Sequence, residues 1–183
     1  MVMKIFIAGA RNITSLDDNV KAKLMSIYNN KHSVFVGDCY GVDTAVQDFF
    51  IRLSYNNVTV FASNGKARNN IGNWNVENIH VDSSVKGFDF YKQKDIAMAN
   101  SADYGFMIWD GSSRGTLNNI INLINQNKKV LVYIAPFRKM LVIGTMRQLN
   151  TLVEHCPEST KKTFKKLLPK KADINDKQLS LLV

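Results

Sequence analysis

The groups best able to do chemistry are concentrated in Trp109-Asp110-Gly111-Ser112-Ser113-Arg114-Gly115-Thr116. Gly111 and Gly115 let backbone approach a ligand closely. Ser112, Ser113 and Thr116 bring hydroxyls, Arg114 a fixed cation and Asp110 a carboxylate. An apolar run from Phe106 to Trp109 precedes this loop, and Leu117, Ile120, Ile121 and Ile124 follow it at helical spacing. Strand, small-residue loop and helix in that order make half of a βαβ unit. The helix is expected to start near Gly115-Thr116, its free N–H groups turned to the loop, where they attract phosphate or carboxylate. The plainer alternative is a βα turn capped by Ser or Thr.

Three other loops carry the same residue types. Gly9-Ala10-Arg11-Asn12 follows the strand Lys4 to Ala8, and Gly37-Asp38-Cys39-Tyr40-Gly41 follows Ser33 to Val36. A long polar stretch, Ala62 to Trp74, follows Val58 to Phe61 and holds Arg68-Asn69. Asp43, at a helix start, serves either as a cap or as a ligand contact. Asp110 ends an apolar strand and favours ligand contact. Arg11 is either a ligand residue or half of a surface ion pair, and Arg114 is either a ligand residue or solvated. Tyr40 is the better stacking candidate because it sits in a loop, whereas Trp109 reads as packing. Cys39 has no His beside it in sequence, which disfavours a nucleophile. His32, His80 and His155 share no pattern.

The positioning elements follow from periodicity. A helix is expected after Ser15, where Ser15 and Asp18 have capping-box-like spacing, with Leu16, Val20, Leu24 and Ile27 on one face. Val42, Ala45, Val46, Phe49, Phe50 and Leu53 trace a second helical stripe. Ile79 to Val81 reads as a short strand and Phe88 to Asn100 as a helix with Phe88, Tyr91 and Met98 inward. Val130 to Ile134 is a strand ended by Pro136. Beyond it come a short strand, Met140 to Ile143, and helices over Thr145 to His155 and Ser159 to Leu168. This alternation predicts an α/β fold, a Rossmann-like three-layer sandwich with a mostly parallel sheet and a short, basic, helical C-terminal extension. The division expected is 1–135 for the ligand-binding domain and 136–183 for the extension. In such sheets ligands bind beyond the carboxyl ends of the strands, which brings all four loops to one rim and points to an anionic small molecule.

At 183 residues the chain has room for one domain with an appendage. No window reaches the ~18 apolar residues of a membrane span. Two cysteines in unlike contexts argue against a disulfide and fit a reducing cytoplasm. No Cys/His cluster has zinc-ligand spacing, so no metal is expected. The net charge of +9 favours anionic partners. From Pro157 onward seven lysines stand against three acidic residues, so much of the excess belongs to the tail. That tail reads as a solvated face, separate from the loops.

The four loops together resemble the SLOG superfamily, a Rossmann-like group, and most nearly its YspA/YpsA-related branch. The resemblance rests on Gly9-Ala10-Arg11, on Gly37-Asp38-Cys39-Tyr40-Gly41-Val42-Asp43, on Arg68-Asn69, and on the Trp109 to Thr116 run. It covers roughly residues 4 to 134. It implies a nucleotide or nucleotide-derived ligand and no required cofactor. Gly9, Arg11, Gly37, Gly41 and Asp43 would line one side of the pocket, and Arg68, Asp110, Gly111, Ser113, Gly115 and Thr116 the other. Asp43 or Asp110 would accept from ribose hydroxyls. Asp38 stands where that branch has a second glycine. The more distant lonely-guy phosphoribohydrolases carry a catalytic Glu at the position of Asn119, and Asn is neither acid nor base at neutral pH. Asp38, Asp43 or Asp110 would then be the carboxylates available for such chemistry. Three functions stay open: a nucleotide sensor or binding module; an enzyme cleaving or transferring at an N-glycosidic bond of nucleotides or NAD-like substrates; and, least favoured, nucleic-acid binding similar to that of DprA. A homo-oligomer is implied by the resemblance alone.

Overall fold

A computed structural model describes residues 1–169. Seven strands form one sheet: β1 (Lys4–Gly9), β2 (Ser33–Gly37), β3 (Val58–Ser63), β4 (Asn75–Ile79), β5 (Tyr104–Trp109), β6 (Val130–Ile134) and β7 (Lys139–Ile143). Their spatial order is β4-β3-β2-β1-β5-β6-β7, and only β7 runs antiparallel. The chain winds outward from β1 to β4, then crosses back to lay β5 on the other side of β1. The boundary between β1 and β5 is therefore the topological switch point, where the loops leaving the two strands diverge and open a crevice.

The helices are α1 (Asp18–Asn29), α2 (Val42–Arg52), α3 (Gly87–Ser101), α4 (Arg114–Asn125), α5 (Met146–Glu154) and α6 (Glu158–Leu167). Side chains alternate across each strand, which sorts the core into two halves. Ile5, Ile7, Phe106 and Ile108 pack with Val20 and Leu24 of α1 and Val46 and Phe50 of α2. Phe6, Ala8, Met107 and Trp109 pack with Met98 of α3 and with Leu117, Ile120 and Leu123 of α4. The α/β three-layer arrangement read from the sequence is thus the observed one. Being covered on both faces, the central strands are unbroken apolar runs, which is why they are visible in sequence.

Two details differ from the sequence reading. The cap of α1 is Asp17, whose side chain accepts from the N–H of Asn19; Ser15 lies outside the helix. The fourth strand lies at Asn75–Ile79, not Ile79 to Val81. It is an edge strand, mostly exposed, so it carries no apolar alternation to read.

Residues 136–169 continue the same body. β7 pairs with β6 across five residue pairs. Ile143, Leu149, Leu152, Val153 and Phe164 join the core that contains α4. The tail lysines Lys161, Lys162, Lys165 and Lys166 lie on α6, while Lys170, Lys171 and Lys177 fall outside the described residues. No helix among the described residues is long and apolar enough to cross a membrane.

Candidate binding cleft

A cleft of about 630 Å³ opens at the switch point. The β1 loop contributes Gly9, Arg11 and Asn12, and the β2–α2 segment contributes Cys39 and Asp43. The β5–α4 segment contributes Asp110, Ser113, Arg114, Gly115 and Thr116. Arg11, Asp43, Asp110 and Thr116, from three separate strand-to-helix segments, thus border one cavity. The wall facing them is α3, through Phe88, Tyr91, Lys94 and Asp95.

The start of α4 is shaped by Asp110. Its Oδ1 accepts from the N–H groups of Ser112 (2.9 Å) and Ser113 (2.7 Å). Its Oδ2 accepts from the Ser112 hydroxyl and from Asn12 Nδ2, both at 3.0 Å. Burial alone would raise the Asp110 pKa, but these donors outweigh it and hold the group below the ordinary carboxylate range. Asp110 is therefore occupied in folding the loop rather than free to hold a ligand. Ser112 is spent in the same way. Gly111 sits at φ 79°, a conformation that favours glycine, and its carbonyl accepts from Thr160 Oγ1 of α6 at 2.8 Å. The C-terminal segment thus braces the loop from behind, a contact that no local sequence pattern announces. Thr160→Val, nearly isosteric, would leave that buried carbonyl unpaired at a cost of about 1–3 kcal/mol. The expected result is a lower Tm with faster amide exchange at Ser112 and Ser113, measured by hydrogen–deuterium exchange.

Ser113 is the N-cap of α4, and its side chain makes no capping bond. The N–H groups of Arg114, Gly115 and Thr116 follow in the first turn, where a helix has no internal partners for them. A Cβ placed on Gly115 meets nothing within 4 Å, so this turn borders open space. Gly9, Gly37 and Gly41 serve the protein itself. A Cβ on Gly9 would lie 2.3 Å from the Ile108 carbonyl oxygen, and one on Gly41 2.4 Å from that of Arg11. One on Gly37 would strike Asp43 Oδ2 and Lys94 Nζ, at 2.3 and 2.6 Å. Close backbone approach, expected toward a ligand, is at these three positions an approach to neighbouring chain.

Lys94, Asp95 and Asp43, which line the cleft, belong to a cluster of charge that continues behind it. Lys94, only 3% exposed, lies 3.1 Å from Asp95 and 3.8 Å from Asp38. Asp38 is also held by Arg68, through the backbone N–H at 3.1 Å, Nε at 2.9 Å and Nη2 at 2.7 Å. Burial raises the Asp38 pKa, but Arg68 and Lys94 prevail and keep it below the ordinary value. Asp38 and Arg68 are thus a structural ion pair that ties the 64–74 loop, two residues shorter than expected because β3 runs on to Ser63, to the end of β2. Asn69 strengthens the tie by donating to the Asp38 carbonyl at 2.8 Å. Neither Arg68, Asn69 nor Asp38 lines the cleft. Asp43 differs. Burial lifts its pKa to about 6, with Lys94 opposing and Asp95 adding to the rise, while its Oδ2 accepts from the Cys39 N–H. Lys94 itself is held above the ordinary lysine value: burial works against the charge, but Asp95 and Asp43 outweigh it. The Cys39 thiol is pushed up, chiefly by burial, which removes the thiolate a nucleophile needs.

Tyr40 is 74% exposed and stands outside the cleft. The aromatic groups in the wall are Tyr91, with the Arg11 and Arg68 guanidiniums 5.6 and 5.2 Å from its ring centroid, and Phe88, with Arg114 at 3.9 Å. Trp109 is fully buried and donates to the Ser113 carbonyl, as packing. The sequence reading missed Lys94 and Asp95 because a Lys-Asp pair within a helix resembles a solvated face. Their signal was register: Lys94 stands one turn before Met98 on the buried face of α3, whereas Tyr91, expected inward, is exposed at the cleft rim.

No protein-family model and no curated protein matches the chain.

Proposed function

We propose that the chain binds a nucleotide or nucleotide-derived phosphorylated small molecule in the cleft between β1 and β5. The observation that carries this reading is the first turn of α4, without a side-chain cap and bordering open space at Gly115. Such a turn offers N–H donors and the positive end of a helix dipole to a phosphate. Arg11 and Arg114 flank it, the latter laid against Phe88, and either guanidinium suits bidentate contact with phosphate oxygens. The SLOG resemblance of the loops supports the same ligand class.

A second reading has its own observation. Asp43, in the same cleft with a pKa near 6, is suited to exchange a proton near neutrality. That favours chemistry at an N-glycosidic bond, with Asp43 as the acid or base in place of the Glu that Asn119 replaces. One experiment separates the two. Purified protein is titrated with nucleoside 5′-monophosphates and NAD by calorimetry, and the mixtures are then chromatographed for free base. Heat of binding with no released base identifies a binding module; released base that disappears in Asp43→Asn identifies an enzyme. No binding of any phosphorylated compound would overturn both readings.

A further inference from the structure

One turn into α4 from the free N–H groups stands Asn119, only 3% exposed and lining the cleft. Its Nδ2 donates to Asp95 Oδ2 at 3.2 Å. That bond fixes the amide's orientation, since the carboxylate takes only a donor. Oδ1 is then left with no hydrogen-bond partner among the described residues. Three buried side-chain polar atoms share this condition there, the others being on Ser63 and Asn122. Asn119 alone of the three residues lines the cleft. An unpaired buried carbonyl oxygen is costly and uncommon in a folded protein. Beside it the cleft presents two more acceptors, Asp95 and Asp43. At this depth the wall presents these acceptors around Lys94, whose ammonium is already engaged by Asp95 and Asp38, while the first turn above it offers donors.

Resting on the phosphate reading above, we infer that Asn119 and Asp95 form a hydroxyl-accepting subsite that selects phosphorylated ribose over 2-deoxyribose. The spacing fits. Asn119 is four residues from Gly115, so the two are separated by about 5–6 Å of helix rise. Helical side chains lean toward the N-terminus, which carries the Asn119 amide toward the phosphate end. A pentose ring spans that gap when its phosphate rests on the first turn. Its ring hydroxyls then meet Asn119 Oδ1, which has no donor, and the Asp95 carboxylate, which keeps lone pairs beside those taken by Lys94 and Asn119. A ligand lacking the hydroxyl leaves Oδ1 unpaired, and sites built to bond a hydroxyl reject such analogues strongly.

The test titrates wild-type protein with the four ribonucleoside 5′-monophosphates, their 2′-deoxy counterparts and inorganic phosphate. At least one ribonucleotide is expected to bind ten-fold or more tighter than its deoxy counterpart. In Asn119→Leu the preference should collapse toward equality through weaker ribonucleotide binding, with deoxynucleotide and phosphate affinity retained. Equal affinity of every ribo/deoxy pair for wild-type protein overturns the hydroxyl subsite and leaves the phosphate reading standing. A preference that survives intact in a folded Asn119→Leu overturns the assignment to Asn119. Absence of binding by every compound removes the phosphate reading and this inference with it. Should Asn119→Leu fail to fold, Asn119→Ala takes its place: it removes the acceptor with no added bulk, so the ribose preference must again collapse, and a preference that survives in it overturns the assignment.

Discussion

Lys94→Met is expected to destabilise the fold by about 3–5 kcal/mol, because it strips the cation from a buried cluster and leaves the carboxylates behind. The change nearly preserves side-chain length, so the loss is one of charge rather than volume. For a chain of this size the shift in Tm is roughly 6–20 °C. The size of the deficit must depend on pH. In the wild type, burial already raises Asp43 from 3.8 to about 6 with Lys94 working against the rise. A carboxyl whose folded pKa exceeds its unfolded value favours the folded state while protonated. That contribution is complete below about 3.8 and is lost as pH climbs through about 6. Removing Lys94 pushes the folded pKa higher still and deepens the penalty of charging Asp43. The variant's deficit should accordingly be larger at pH 8 than at pH 5. Asp38 and Asp110 run the other way, since their folded pKa values are depressed. They stabilise above the unfolded value and lose that contribution as acid titrates them, so they contribute little slope between pH 5 and 8. Urea melts of both proteins at the two pH values measure the difference directly. A deficit under about 1 kcal/mol, or one independent of pH, would mean that Lys94 does not compensate buried charge.

The contrast between Asp110 and Lys94 shows what the sequence could convey. Asp110 was visible as a chemical residue because it follows an apolar strand, yet its four hydrogen bonds go to neighbours within the loop and to Asn12. Sequence marks where a carboxylate lies along a βα unit; it does not say whether nearby N–H groups have already claimed it. The glycines carry the same ambiguity. A close approach is encoded, but whether ligand or protein makes it depends on how α2 and β5 meet β1, which is tertiary. Lys94 and Asp95 were obscured for the opposite reason. They matter through partners on other elements, Asp38 in the β2 loop and Asn119 on α4, and no local pattern announces those. The parallel strands, by contrast, needed only burial on both faces to become legible, and β4 escaped because it has little burial to show. The α6 contact to Gly111 was similarly hidden: Thr160 in a lysine-rich stretch looks like surface, but its hydroxyl is buried against the loop it supports.

Gly115→Val is expected to abolish phosphorylated-ligand binding, weakening it by at least about 100-fold, while the fold remains intact. The position lies in the first turn of α4 with open space where a Cβ would go. Two consequences follow from that geometry. A Cβ at this position meets no heavy atom within 4 Å, so a side chain has room to enter the cleft, and replacing a helical glycine removes a residue of poor helix propensity. Stability should therefore change by less than about 1 kcal/mol. The same open space is where a phosphate must sit to reach the first-turn N–H groups, and a branched side chain there holds it beyond hydrogen-bonding distance. Losing several charge-assisted hydrogen bonds at about 1.5–3 kcal/mol each accounts for the size of the effect. Gly115→Ala, with a single methyl group, should fall between the two. Calorimetric titration with the tightest ribonucleotide, run beside thermal melts of the three proteins, gives both quantities. Unchanged affinity in a folded Gly115→Val would remove the first turn of α4 from the site, and with it the reason for placing a phosphate between β1 and β5.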